Sequence, residues 1–560
     1  ALSSRPLHPR HAAGTRGLRA MLRAEPGALP VRVGTPSASS SAAPRPRLEA
    51  PRPLLLASQR LPSGPVAAGL LEAGSTASSS CRVAFCLLGA STLVSRADHQ
   101  RARRRRQGRG ARARGIRCAI AVAWEAGRQD ERAFGSEKEY LEHLRAEARL
   151  PAGFQVGVTK LTFAPPEVDM GELPMRLTLV RLDEPTEAYA AVFTRNAFPG
   201  APILVGRRRL QAGAPLQAVA VNNKVSNVFP VDGGEAASEE VCDAVAQALG
   251  LAGGGESVLP SSTGVIGWRL PAKELAAAAP HAAAALQAES ALPAAEGIMT
   301  TDRYAKVSSA SLPGGARIVG FAKGAGMIEP NMATMLCYLL TDADVPGGRD
   351  VLQAQLSEAV ARSFNAISVD ADESTSDTVA LFSSRRQPCD ATAFAEALEL
   401  VCRDLAAQVV RNGEGTEHVI RVTVSGAVDD ATAARVAKAV VNGPLFKSAV
   451  AGNDPNVGRL VGKVGQTLST AGADMAEGCV CRLGGEVIFE AGRFALDQEK
   501  ERRLSAHLKA AQADSSLKYP AHHRVVDVEV ILGGGGSGHA VVLGSDLTKE
   551  YVAINADYRS

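Results

Sequence analysis

From about Gly153 onward the spacing of apolar residues changes repeatedly, and each spacing predicts a different element. "EAYAAVFTRNAF" and "LQAVAVNN" are short, nearly continuous apolar runs, the pattern of buried strands. Between Glu239 and Leu249 the residues Val241, Val245, Ala248 and Leu249 fall on one helical face, and Gly250 ends the segment. Leu352, Leu356, Ala359 and Val360 make a second such face, and Phe394, Leu398, Val401, Leu405 and Val409 a third. Strands return in "HVIRVTVSG" and in "RVVDVEVILGGGGSGHAVVLG", where period-two alternation flanks a glycine cluster. The cluster lacks the Lys-Ser/Thr pair that grips phosphate and no helix follows it, so it is expected to be a flexible hairpin turn and not a phosphate loop. The fold class is α/β or α+β with mixed sheets.

At 560 residues the chain exceeds one ordinary core, so two or more domains, or one large domain with appendages, are expected. Hydrophobic residues make up 46%, enough for a real core, and no run of about 20 apolar residues calls for a spanning helix. Neither a fibrous nor a membrane protein is indicated. The net charge of +4 conceals an asymmetry. Residues 1–118 hold only Glu25, Glu49, Glu72 and Asp98 as acids among many Arg, Ser, Ala and Pro, and end near "RARRRRQGRGARARGIR". An Arg-rich, Ser-rich, acid-poor segment has the composition of an organelle transit peptide, expected to be disordered or removed. Its opening Ala1 suggests a start further upstream. "VAFCLLGASTLV", Val83 to Val94, suits a signal core and is too short to span a bilayer, so a two-stage plastid leader is expected, with the mitochondrion as the alternative. Clustered arginines also suit nucleic acid. Here no aromatics interleave them, and no nucleic-acid partner is expected. Residues 119–152 are expected to be a linker.

Nine cysteines are scattered without a C-x-x-C pair, which argues for reduced thiols and against a disulfide or zinc framework. Cys479 and Cys481 would share a strand face in a structural role. No metal and no cofactor are expected.

The chemistry concentrates at "KGAGMIEPNMATML", Lys323 to Leu336. Gly324 and Gly326 permit unusual backbone angles, Pro330 pushes Glu329 out of helical space and Asn331 favours turns, so a bend precedes the apolar run Met335 to Leu340. Thr334 stands at that seam. A threonine hydroxyl is a weak nucleophile unless a base activates it, and one base is the threonine's own α-amino group. That amine exists only if the bond before Thr334 is cut. With a pKa of about 7.7 to 8.0 it would accept the hydroxyl proton near neutral pH. An interior Thr packed before a buried strand is the plainer reading of the same residues.

Seven stretches settle the matter by resemblance. "SSTGVIG", "GIMTTD", "KGAGMIEPNMATML", "SFNAISVDADESTSDT", "RNGEGTEH", "GNDPNVGRL" and "DLTKEYVAINADYRS" occur in the order of the ornithine acetyltransferase family, also called glutamate N-acetyltransferase, and the likeness runs from about Gly153 to Ser560. The resemblance implies sheets layered between helices, similar to aminopeptidases that process themselves at an N-terminal serine. It implies self-cleavage between Ala333 and Thr334 into an α chain, 153–333, and a β chain, 334–560, that stay associated as two α and two β. It implies Thr334 as nucleophile, Thr263 and Gly264 as oxyanion donors, and Thr301, Lys323, Thr334, Glu414, Asn555 and Ser560 as binding residues for small amino-acid substrates.

The activity so implied is acetyl transfer from N-acetylornithine to glutamate, with acetyl-CoA as a second donor substrate open. A self-processing amidohydrolase of the same architecture is the alternative. A stripe of Leu547, Tyr551, Ile554 and Tyr558 is expected to carry Asn555 on a neighbouring helical face. Departures from the family pattern are "VNNKVSNVF", Ala325, Ser545 and Glu329, the last close enough to Thr334 to affect cleavage or acceptor choice.

Overall fold

The computed structural model describes residues 133–329 and 335–557. In chain order the first strands are β1 (Phe154–Phe163), β2 (Leu173–Thr186), β3 (Tyr189–Phe193), β4 (Leu216–Asn222), β5 (Val258–Ser262), β6 (Lys306–Ser311), β7 (Arg317–Lys323), β8 (Leu336–Asp344), β9 (Ile367–Ser368) and β10 (Thr378–Pro388). They build a four-stranded sheet, β1-β2-β4-β5, and a five-stranded sheet, β3-β10-β8-β7-β6. In β8 every residue from Leu336 to Ala343 is buried. Alternate side chains explain why: Leu336, Tyr338 and Leu340 point into one core, Cys337 and Leu339 into another. A strand covered on both faces reads as a continuous apolar run.

The two sheets pack face to face. Val156, Val180, Val219 and Val221 of the first meet Val319, Phe321, Tyr338 and Leu340 of the second in a shared core. Behind the first sheet, Leu177, Leu179, Ala218 and Ala220 bury against the helices Glu235–Leu249 and Ala272–Ala284. Behind the second, Ile318, Leu339, Val379 and Leu381 bury against Gly348–Arg362 and Ala391–Arg411. The order is therefore helix, sheet, sheet, helix, the layered arrangement that the resemblance implies. The three helical faces read from the sequence are buried except at Ala248, which is half-buried, and Gly250 caps its helix with φ 64°. Beyond its expected face, the helix Ala391–Arg411 also buries Arg403, Asp404, Gln408 and Arg411. Gln408 Nε2 donates to the Val307 oxygen of β6 at 3.0 Å and Arg411 donates to the His522 oxygen, and the helix also packs against a third sheet.

That sheet comprises β11 (Val419–Ala427), β12 (Val480–Leu483), β13 (Glu486–Glu490), β14 (Arg493–Phe494), β15 (Val526–Ile531) and β16 (Gly538–Ser545) with β9, in the order β14-β13-β12-β15-β11-β16-β9. Its core is closed by the helices Asp430–Val441, Val457–Ala471 and Gln498–Ala511. The "GGGGSG" run departs from the hairpin expected of it. β15 and β16 do not pair with each other; they flank β11, one parallel and one antiparallel. The glycines cross the end of β11 so closely that a Cβ on Gly536 would lie 2.0 Å from the Ala427 oxygen and one on Gly538 2.2 Å from the Asp429 oxygen. Gly536 and Gly538 are there for close passage, not for flexibility.

The expected linker is also partly folded. Its described end carries a helix, Glu137–Glu147, that buries Tyr140 and Leu144, and the Tyr140 hydroxyl donates to the Ala305 oxygen at 2.5 Å. The folded body thus starts before Gly153. The leader and its arginine run lie outside the described residues. Cys479 and Cys481 are both buried with sulfurs 4.0 Å apart, and the six described cysteines are free thiols. No helix among the described residues is long and apolar enough to cross a membrane.

Candidate active site

A cavity of about 290 Å³ opens where β5, β7, β8 and the approach to β10 come together. Thr263, Gly264, Thr301, Lys323, Glu414 and Asn555 all line it, beside Met335, the residue that follows Thr334. Only Thr263 and Gly264 are neighbours in sequence; Lys323 ends β7, Glu414 follows the helix Ala391–Arg411 and Asn555 lies on the helix Lys549–Ala556. Ala333, Thr334 and Ser560 lie outside the described residues.

The Thr263–Gly264 turn is shaped by its neighbour. β4 and β5 run parallel with Asn222 beside Ser262, and the chain leaves both ends together. Thr263 N donates to the Asn222 oxygen at 3.1 Å, and Val265 N to the Lys224 oxygen at 2.8 Å. The Ser226 hydroxyl returns to the Val265 oxygen at 2.7 Å. Asn222 closes the loop, accepting from the Ser262 hydroxyl at 2.6 Å and donating to the Val225 oxygen at 2.8 Å. Thus "VNNKVSNVF", where the chain departs from the family pattern, forms the cradle of the turn. Gly264 has φ 132°, and Lys224 itself sits at φ 74°.

Lys323 ends β7, and antiparallel register sets it opposite Leu336, two residues past Thr334. Burial lowers its pKa, while the carboxylates of Asp302, Asp377 and Glu414 around it pull the other way. Glu414 is itself buried and approaches so closely that a Cβ on Gly326 would lie 2.4 Å from its Oε2. The Glu414 amide donates to the Ala325 oxygen at 2.9 Å, and Asn555 Nδ2 donates to Glu414 Oε2 at 2.7 Å.

Asn555 arrives on the helix Lys549–Ala556, which Thr548 caps while its hydroxyl reaches the Gly415 oxygen at 2.8 Å. No residue of this helix is fully buried; Tyr551 and Ile554 are half-buried and Asn555 is largely exposed. The expected apolar stripe is a lightly seated one, and Tyr558 lies outside the described residues.

Two carboxylates that sequence reasoning passed over organise this site. Asp302, next to Thr301, is fully buried and accepts from Lys306 Nζ at 2.5 Å, Gly324 N at 2.8 Å and Thr300 N at 3.0 Å. It ties the Thr301 loop to the chain carrying Lys323. Burial opposes its charge, yet Lys306, Lys323 and the Gly324 amide hold its pKa down at about 2. Lys306 shows the cost, since burial pulls its pKa down in spite of Asp302. Asp377 is the other, a buried carboxyl in the wall between Ser376 and β10. The signal available in the sequence was the polar run "STSD" placed directly before a buried strand.

Asp302 yields a prediction. Its folded pKa lies below the ordinary 3.8, so its stabilisation is present above that value and is lost as pH falls from about 4 toward 2, on the order of 2 kcal/mol. Asp302→Asn leaves Lys306 buried and unpaired, which should destabilise by about 3–5 kcal/mol. Thermal unfolding should show a markedly lower Tm and a flatter dependence between pH 4 and 2; an unchanged Tm would remove Asp302 from the framework.

Glu329 does not line the cavity. Its carboxylate accepts from the Ser368 hydroxyl at 3.2 Å and from Asn442 Nδ2, and faces Lys438 Nζ at 3.7 Å. It ties the chain at residues 327–329 to the third-sheet region; the expected bend lies outside the described residues. Among the described residues no group of three His, Cys, Asp or Glu side chains is placed to hold a metal ion.

A turn of a hydroxyl and a glycine amide beside a lysine, a glutamate and the start of a buried strand defines a site for covalent acyl chemistry on a small amino-acid substrate. Comparison with known proteins agrees. Residues 169–560 match the model of the ArgJ family. The arginine biosynthesis bifunctional protein ArgJ of Agrobacterium fabrum is 39% identical over 397 residues, covering 68% of this chain and 90% of that protein. Its counterpart in Nitratidesulfovibrio vulgaris is 40% identical over 394 residues, covering 69% and 94%. Among solved structures, the ornithine acetyltransferase of Mycobacterium tuberculosis, complexed with ornithine, aligns with 34% of this chain and 98% of that one at 34% identity, with a TM-score of 0.29. The chain belongs to the ArgJ family.

Proposed function

We propose that this chain transfers acetyl from N-acetylornithine to glutamate through an acetyl-threonine at Thr334, releasing ornithine and then N-acetylglutamate. The observation that carries the reading is the meeting of Thr263, Gly264, Thr301, Lys323, Glu414 and Asn555 at one cavity beside Met335. Cleavage between Ala333 and Thr334 frees the α-amine that serves as base. Thr334 Oγ attacks the acetyl carbonyl, the Thr263 hydroxyl and the Gly264 amide receive the oxyanion, and ornithine leaves. Lys323 suits the substrate carboxylate and Glu414 its ammonium, with Thr301 and Asn555 completing the polar wall. The family resemblance assigns a binding role to Ser560 as well. Glutamate then takes the acetyl group from Thr334.

The bifunctional name of the relatives supports acetyl-CoA as a second donor. The chemistry needs no metal and no other cofactor. The two pieces are assigned to an assembly of two α and two β, and the Arg-rich leader to plastid import.

The test is a covalent label. N-acetylornithine alone, mixed with the purified protein and quenched rapidly, should add one acetyl mass to the piece beginning Thr-Met-Leu-Cys and none to the other. Glutamate should discharge it as N-acetylglutamate. Label on the α piece, or none, would sink the mechanism, and discharge that is indifferent to glutamate would make the protein a hydrolase.

A further inference from the structure

Asp370 does not line the cavity, yet its carboxylate joins two parts of the chain that do. The residues after β9 run beside one wall: Val369 N donates to the Ile328 oxygen at 2.6 Å, and Glu329 N to the Asp372 oxygen at 3.1 Å. Between these bonds Asp370 turns onto the same segment. Its Oδ2 accepts from Met327 N and its Oδ1 from Ile328 N, both at 2.7 Å, and Oδ1 also accepts from Asp372 N at 3.3 Å. Met327, which lines the cavity, is held there at φ 56°.

The fourth donor comes from the far end of the chain. The Tyr551 hydroxyl donates to Asp370 Oδ2 at 3.3 Å. Tyr551 sits one turn before Asn555 on the helix Lys549–Ala556, which has no fully buried residue to seat it. Polar bonds do that work instead. Thr548 reaches the Gly415 oxygen and the Ser515 hydroxyl donates to Glu550, so the helix is fixed at its start, away from Asn555. Asn555 divides its two N–H bonds between Glu414 Oε2 at 2.7 Å and the Tyr551 oxygen at 3.0 Å. Both partners only accept, so the amide nitrogen faces them, and Oδ1 is the atom Asn555 has left to offer a substrate.

We propose that Tyr551 is a positioning residue for acetyl transfer: its hydroxyl, held by Asp370, seats the C-terminal helix so that Asn555 stays bonded to Glu414 and keeps Oδ1 for the amino-acid substrate. The proposal rests on Asn555 and Glu414 binding that substrate. Three of the four donors to Asp370 are backbone amides, which makes the carboxylate a fixed point to which the helix is fastened. A hydrogen bond to a charged acceptor is also stronger than one between neutral groups.

Tyr551→Phe removes one oxygen and keeps the ring. It should raise KM for N-acetylornithine and for glutamate about fivefold with kcat kept within about twofold, because a contact used equally in the ground and transition states is lost from binding alone. Asn555→Ala should raise the same KM values. Adding Tyr551→Phe to it should change nothing further, since the tyrosine then has no side-chain amide to position. Unmoved KM values in Tyr551→Phe, a loss carried mainly by kcat, or effects of the two substitutions that add in full would each overturn the proposal.

Amide hydrogen exchange without substrate, on the wild-type protein and Tyr551→Phe, separates the latch from the reaction. Exchange over Lys549–Ala556 should quicken about fivefold in the variant, while the amides of β8 keep their wild-type rates. Equal rates over that helix would overturn the latch whatever the kinetics show. A wild-type protein that moves no acetyl from N-acetylornithine to glutamate would instead refute the reading of the reaction, and the exchange result would still decide whether Tyr551 seats the helix.

Discussion

Thr334→Ala should remain one uncut chain and lose acetyl transfer by on the order of ten-thousandfold or more. Both outcomes follow from one missing atom. Cleavage before residue 334 needs the hydroxyl oxygen to attack the Ala333 carbonyl, and transfer needs the same oxygen to accept the acetyl group. Without the cut there is also no α-amine, so nucleophile and base vanish together, and groups that act as a unit are lost as a unit. The loss should not be a folding effect. The strand that follows is anchored by Leu336, Tyr338 and Leu340 on one face and Cys337 and Leu339 on the other, all at or near zero exposure. The Tm of the variant should therefore stay close to that of the wild-type protein. Intact mass, N-terminal sequencing and a transfer assay check the three parts. A cut variant, or an uncut one with full activity, would refute the nucleophile assignment. Thr334→Ser, which keeps the oxygen, should still cleave and retain part of the rate.

Helices and central strands of this protein are legible in its apolar spacing because their burial is decided locally. Val241, Val245 and Leu249 face one core whatever lies beyond it, and Cys337 and Leu339 do the same in β8. What could not be read there is whatever depends on sheet order. The glycine run after β15 looks like a hairpin until one knows that β11 lies between the two strands it joins, and then its glycines become a requirement of close passage. The helix Glu137–Glu147 reads as linker because its eleven residues are mostly charged and it buries just Tyr140 and Leu144.

The site divides in the same way. Lys323, Glu414 and Asn555 have nothing in their local sequence to separate them from solvated surface residues, and family resemblance was the signal that named them. Asp302 and Asp377 matter through burial and register, which spacing does not encode. Glu329 stands out as a departure from the pattern, and its partners Ser368, Asn442 and Lys438 place it outside the cavity, where it ties its own segment to the third-sheet region.

Gly264→Ala should lower kcat by on the order of a hundredfold to a thousandfold, and its neighbour Gly267 supplies the control. A Cβ on Gly264 would stand 2.1 Å from the Lys224 carbonyl carbon and 2.2 Å from its oxygen. Neither is the movable end of a side chain; both are backbone, held by the Val265 to Lys224 and Ser226 to Val265 hydrogen bonds. The turn or its cradle must shift, and the amide assigned to the oxyanion moves with it. Loss of one such donor accounts for the expected factor. Gly267 also has a positive φ, 89°, but its Cβ would meet nothing within 4 Å. Gly267→Ala therefore shares the conformational strain, of order 1–3 kcal/mol, without the collision. It should unfold at a lower temperature and turn over at nearly the normal rate. Steady-state kinetics with N-acetylornithine and glutamate, alongside thermal unfolding, separate the two effects. If both variants lost turnover equally, backbone strain alone would explain the result, and the Gly264 amide would have no claim to the oxyanion.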